Sequence, residues 1–233
     1  MDNRTVSTQP QSEASVSSFL SRVFLWMALG LTVSAAGSFW LLAQPGILMT
    51  VVKNPVIFFG LAIAELGLVI WLSMAVMRMS AGMATGIFLL YSFLNGITLC
   101  PLFLIYTGGS ILNTFVITGG TFFFFALYGF TTRKDLTTMG GLFMMGLIGV
   151  ILASLVNLFV KSTALEWVIT FVAIAVFLGL IAYDTQKLKR IHAMGFQSAD
   201  DEKRIVILGA LTLYLDFINL FIQLLKIFGR RRN

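Results

Sequence analysis

Cysteine and histidine are almost missing from this chain, with one of each among 233 residues. The single cysteine, Cys100, excludes an intrachain disulfide and a cysteine-based metal cluster, and it leaves the redox compartment open. The single histidine, His192, has no metal-ligand partners at usable spacing. Charge is scarce as well. Only 11% of the residues are charged, against about 25% in soluble domains. The acidic residues number ten, so each one within an apolar stretch needs an explanation. The rest of the chain is apolar: 58% is hydrophobic and the mean hydropathy is +0.93. Such a balance excludes an ordinary soluble domain and marks a polytopic membrane protein, whose partner is the lipid bilayer.

Runs long enough to span, about 17–25 residues each, occur near 20–44, 55–77, 83–106, 110–130, 139–160, 165–184 and 205–227. The predicted fold is therefore all-α, with seven transmembrane helices. The first run is too long for a signal-peptide core and six more follow, so it reads as a retained helix. Residues 1–18 are polar and rich in Ser, Thr and Gln. They cannot bury enough apolar area to offset their ordering entropy and are predicted to be a disordered tail. Residues 19–233 form the membrane domain.

The net charge of +6 invites a nucleic-acid reading, but the basic residues sit at helix ends and in short loops, where they meet anionic headgroups instead. Seven spans put Arg4, Arg22, Arg78, Arg133, Lys134, Lys187, Lys189, Arg190, Lys203 and Arg204 on one face. Lys53, Lys161, Lys226, Arg230, Arg231 and Arg232 fall on the other. The positive-inside rule then places the N-terminus in the cytoplasm. The KIFGRRRN tail argues the other way, and a re-entrant 205–227 segment would put both ends in the cytoplasm. Seven full spans are preferred. Residues 185–204 read as a long charged loop, with His192 a bystander or a cytoplasmic pH sensor.

Small residues inside the spans, with Gly82-x-x-x-Gly86 an example, suggest tight helix packing. Phe122–Phe125 read as lipid-facing or packed side chains. The last span carries more information. Thr212, Asp216, Asn219 and Gln223 recur at helical spacing on one face, opposite a face of Leu, Ile and Phe. Lipid cannot satisfy such a stripe, so this helix is predicted to be central, enclosed by the other six. Tyr91, Asn95 and Thr98 form a shorter stripe on the third span, which ends at Pro101, a residue that should free a backbone carbonyl one turn earlier. Either stripe also serves as plain helix–helix hydrogen bonding.

A carboxylate at bilayer depth costs about 2.5–3.5 kcal/mol on insertion scales, so it is rarely retained without a use or a partner. Asp184, Asp216 and Glu65 are three such residues. Asp184 falls within the last turn or two of the sixth span, and Asp216 about eleven residues into the seventh, roughly 17 Å from its start. Whether they meet is open on spacing alone. A meeting needs residues 205–209 to extend into the cytoplasm or Asp184 to sit deeper. Arg78, at the end of the second span, is the nearest cationic partner for Asp184. If the carboxyls meet, they titrate as a coupled unit sharing a proton, and its loss brings repulsion or a bound cation.

The stretches AYDTQKLK (182–189), LYLDFINLF (213–221) and YSFLNGITLCPLFLIYT (91–107) resemble the Bax-inhibitor / YccA-like family, the transmembrane Bax inhibitor motif proteins. The resemblance runs from residue 20 onward and is strongest to the bacterial inner-membrane branch. It implies seven helices with the last at the centre, an aspartate pair sensing pH at Asp184 and Asp216, and a calcium leak. Some members carry an arginine late in the second helix that pairs with the sixth-helix aspartate. Here Val76 stands at that place and Arg78 is the basic residue nearby. Glu65 falls where members carry an acidic residue.

Three functions follow as expectations. The first is a pH-sensitive cation leak channel or transporter, with calcium the favoured ion because hard carboxylate oxygens suit it. Asp184 and Asp216 would be sensor, gate and weak, transient metal ligands. Glu65, Arg78, Asn95, Thr212 and Asn219 would line the pore or form its lock. No cofactor is expected. The second is a non-enzymatic regulator that binds a membrane protease or another membrane protein. The third, an intramembrane aspartyl protease, is remote: those enzymes carry Gly-x-Gly-Asp, whereas this chain reads Leu213-Tyr214-Leu215-Asp216 and lacks a following Pro-Ala-Leu.

Overall fold

A computed structural model of the chain describes residues 13–232. Helix α1 covers Glu13–Leu42, followed by the short α2 (Pro45–Lys53) and by α3 (Pro55–Ala75), which a 3-10 turn extends through Val76–Arg78. Next come α4 (Ala81–Leu99), α5 (Pro101–Ile105), α6 (Gly108–Thr131), α7 (Thr137–Val160), α8 (Thr163–Ala193) and α9 (Ala199–Phe228). Seven segments among the described residues are long and apolar enough to cross a membrane: Ala14–Leu42, Pro55–Arg78, Ala81–Ile105, Gly108–Thr131, Thr137–Val160, Thr163–Ala193 and Ala199–Phe228. The predicted all-α membrane fold is the observed one. Of the predicted 1–18 tail, residues 13–18 are instead the first turns of α1, with Val16 buried; residues 1–12 lie outside the described residues.

Local chemistry sets the boundaries. Pro45, Pro55 and Pro101 stand in the first turns of α2, α3 and α5, where a missing N–H has no partner to lose. Asn54 Oδ1 accepts from the Val56 and Ile57 N–H groups at 3.0 and 3.4 Å, and Ser80 and Ser162 cap α4 and α8 likewise. The turn forced by Pro101 leaves no loose carbonyl: the Cys100 N–H takes the Ile97 oxygen at 3.2 Å.

The largest departure from expectation is the polar stretch 185–204. Only 194–198 connects the last two helices; the rest extends α8 and α9. Ser198 starts α9 by accepting from the Asp201 N–H at 3.1 Å, and Asp200, Asp201 and Glu202 fill the positive first turn. On the α8 extension, Gln186 donates to the Lys134 carbonyl at 2.8 Å and accepts from the Leu136 N–H at 2.9 Å. Arg190 pairs with Asp135 at 2.5 Å, so the α8 extension braces the α6–α7 turn. His192 is no loop residue. It is 3% exposed, stacked on Phe19 at 4.6 Å, with Nε2 2.9 Å from Ser15 Oγ.

Helix α9 is central, packing against α1, α4, α6 and α8. Enclosure by all six others does not occur. α3 packs on α4 and α7 on α8, and neither has more than a marginal interface with α9. α9 starts beside the α3–α4 turn, where Arg204 donates to the Met77 carbonyl at 3.3 Å. It ends beside the α5–α6 turn, where the Thr107 N–H donates to Arg230 and the Arg232 N–H to Ile105. α4 runs between those two turns, so α9 crosses the whole bundle and the re-entrant alternative does not hold.

Close approaches use small residues, though not the expected ones. Gly82 and Gly86 face open space. At Gly96 a Cβ would strike the Ser34 backbone, and at Gly129 the Ala182 backbone. There α4 meets α1, and α6 meets α8, at near backbone contact. Phe122 is buried against Phe24 and Phe217, while Phe123 and Phe124 are exposed.

Candidate functional site

The extensions of α8 and α9 resolve the question that spacing left open. Asp184 lies nine residues before the end of α8, about 14 Å along the helix, not at its tip. Its carboxyl lies against that of Asp216, within hydrogen-bonding reach once either of the two carries a proton. Asp216 is buried and Asp184 half-buried. Both line a cavity of about 600 Å³ between α7 and α9, floored by α8. This space exists because α7 leans on α8 without reaching α9.

The stripe predicted on the last helix faces this cavity. Thr212, Asp216, Asn219 and Gln223 all line it. Thr212 and Asn219 are satisfied within their own helix, donating to the Leu208 and Leu215 carbonyls at 3.1 and 2.8 Å. Asp216 Oδ2 and Gln223 Oε1 have no protein partner. Two unpaired buried acceptors therefore belong to residues that line the space between α7 and α9, whose α7 wall is mostly apolar, from Met144 and Leu147 to Leu158. Buried acceptors of this kind are costly unless water, a proton or a cation meets them.

Arg78 is not the cation beside Asp184. It is exposed at the end of the 3-10 turn, and none of the ion pairs among the described residues includes it. The cation that acts on Asp184 is Lys187, one turn further along α8, whose ammonium also lies 5.9 Å from the Tyr183 ring centre.

Glu65 and Asn95 belong to a second cluster. Asn95 Nδ2 donates to Glu65 Oε2 at 3.0 Å, and its Oδ1 accepts from the Tyr214 hydroxyl at 2.8 Å. The same hydroxyl lies 2.7 Å from Ser34 Oγ, whose single proton serves either Tyr214 or the Ser92 carbonyl, also at 2.7 Å. This chain ties α3, α4, α9 and α1 together. Tyr214 and Ser34 were absent from the sequence expectations. The signal was present in Gly30, Ser34 and Ser38, small residues one turn apart on α1. Tyr91, on the other stripe, packs edge-on against the Tyr214 ring at 5.8 Å.

The comparison with known proteins agrees with the fold. The family described as "Inhibitor of apoptosis-promoting Bax1" matches residues 16–233. "Inner membrane protein YbhL" of Escherichia coli (strain K12) is 45% identical over 223 residues, covering 95% of each chain. A protein of Borreliella burgdorferi is 41% identical over 227 residues, covering 97% of this chain and 98% of its own, and "Uncharacterized protein RP147" of Rickettsia prowazekii is 41% identical over 226, covering 92% and 90%. With its seven spans, central last helix and near full-length match, this chain belongs to the Bax-inhibitor family of multi-pass membrane proteins.

Proposed function

We propose that the protein is a pH-sensitive cation leak pathway of the bacterial inner membrane, with calcium the favoured ion and the Asp184–Asp216 pair as its gate. The supporting observation is the contact between these two carboxyls inside a cavity, with Asp216 Oδ2 left unpaired. Carboxyls in contact away from bulk water share a proton and titrate as one unit. With the proton in place, α8 and α9 are joined by a hydrogen bond. Without it, the two charges repel or accept a cation between them. Hard oxygens suit calcium, and two carboxyls with a few amide and hydroxyl groups hold it weakly enough to release it. The N-terminus is cytoplasmic in this reading, following the distribution of Lys and Arg.

The test is calcium flux into proteoliposomes from about pH 5 to about pH 8, a window that spans physiological pH. Wild type is compared with Asp184→Asn, Asp216→Asn and the double variant. The expected result is a pH-dependent leak that either single substitution makes pH-independent, with nothing further lost in the double. Equal, pH-insensitive flux in all four sinks the gate. Flux no greater than in empty liposomes returns the function to a regulator of a membrane protease or other membrane protein.

A further inference from the structure

The acidic cavity does not end at Gln223. Ser154 and Leu158 of α7 line it and also line a second cavity of about 450 Å³, bounded by Asn157, Lys161, Glu166 and Lys226. The two spaces therefore adjoin along α7 and open at the α7–α8 turn. Two polar tracks run into this mouth. On α9 the stripe Thr212, Asp216, Asn219 and Gln223 continues one turn on to Lys226. On α7, Ser154 and Asn157 continue to Lys161. Each track ends in a lysine.

The charges at this mouth are Lys161, Lys226 and Glu166, and none of the ion pairs among the described residues includes any of them. Two cations and one anion, all three exposed, thus share this mouth, and positive charge is in excess. Lys161 also stands at φ 52°, the left-handed position after α7 that glycine fills most readily. The turn is anchored independently, with the Lys161 N–H on the Asn157 carbonyl at 2.8 Å and the Ser162 N–H on Asn157 Oδ1 at 3.0 Å. The turn needs no lysine side chain at this position.

We infer that Lys161 and Lys226 form a cationic rim at the α7–α8 mouth of the aspartate cavity, which selects by charge what passes between that face and Asp216. Fixed charges beside an opening repel like-charged ions and attract opposite ones, more weakly in salt where the charges are exposed, and a divalent cation feels twice the effect of a monovalent one. The rim keeps a carboxyl-lined cavity from filling freely with calcium from that side, which makes the pathway a leak and not an open channel. As a statement about flux, the inference rests on the function proposed above. The rim itself is testable without any flux.

Cys100 is the single cysteine and is fully buried, so Cys100→Ala gives a background for one placed thiol. Ser154→Cys puts that thiol where the two cavities join. The full-length protein in detergent is treated with an anionic or a cationic methanethiosulfonate, and each rate is divided by its rate at Ser21→Cys, an exposed site in the first half of α1. The expected result is a preference for the anionic reagent on the order of tenfold, abolished by Lys161→Gln with Lys226→Gln. A preference that survives both substitutions overturns the rim. A thiol in the Ser154→Cys variant that reacts with neither reagent overturns the water-filled route. The assay reads no calcium, so a negative result leaves the aspartate gate standing, and failure of the gate leaves the rim standing.

Discussion

Tyr214 and Asp216 are two residues apart on α9 and point to opposite sides of it, and their surroundings differ in kind. Tyr214 is wholly buried; its hydroxyl meets Ser34 and Asn95, and its ring packs edge-on against Phe88 and Tyr91. Asp216 is also buried, yet one oxygen has no partner and the side chain lines a cavity. On the first face the Tyr214, Ser34 and Asn95 groups close on one another, and the one polar atom left over, Glu65 Oε1 at the end of that chain, lines none of the cavities described above. On the second, acceptors without a partner belong to residues that line a cavity. A polar residue in a membrane helix can therefore be a bolt or a port, and residual hydrogen-bonding capacity beside empty volume separates the two.

Substitutions that break the bolted face should have the largest effect. In Gly96→Val the added atoms would strike the Ser34 backbone, which cannot yield without separating α4 from α1. A loss of about 3 kcal/mol or more is expected, seen as a collapse of the monodisperse peak and of the thermal transition in detergent. Tyr214→Phe is milder. It keeps the ring but strips the hydroxyl from Ser34 and Asn95, for an expected loss of about 1–3 kcal/mol in the same melt.

On the open face the expected pattern reverses. Asp216→Asn preserves shape, and its amide can still donate to Asp184, so stability should change by less than about 0.5 kcal/mol or rise slightly. The pH dependence of calcium flux should disappear. A melt that falls as far in Asp216→Asn as in Tyr214→Phe would make the aspartate a bolt too, and the comparison would fail.

Legibility in the sequence divides along the same line. Features set by one helix were readable: the seven spans from apolar length, and the Thr212–Gln223 stripe from its spacing. The contact between Asp184 and Asp216 was implied by the family resemblance but not by spacing, because it depends on how far α8 and α9 continue into the polar 185–204 stretch. The polarity of 185–204 masked that continuation. Ser198 followed by Asp200, Asp201 and Glu202 was the missed start signal for α9. The open side of α9 was illegible for another reason. Whether α7 touches α9 is settled by packing between distant segments, and a lipid-facing apolar helix looks like a protein-facing one. For the same reason Arg78 looked like the partner of Asp184, although it is exposed and unpaired beyond the end of α3.

Asp135 supplies the smallest effect and the cleanest control, an exposed carboxylate outside the spans. The Thr137 side chain and backbone N–H donate to it and Arg190 pairs with it, which together hold it well below the usual carboxylate range. A carboxyl held lower in the folded state than in the unfolded one adds stability while ionised in both, and that contribution fades as pH falls toward the folded value. The melting difference between wild type and Asp135→Asn should therefore be small and flat at neutral pH, shrink in strong acid, and be weakened by salt because the group is exposed. Calcium flux should keep its full pH dependence in this variant. If Asp135→Asn flattens that dependence as Asp216→Asn does, the response belongs to surface charge in general, and the cavity aspartates lose their claim to it.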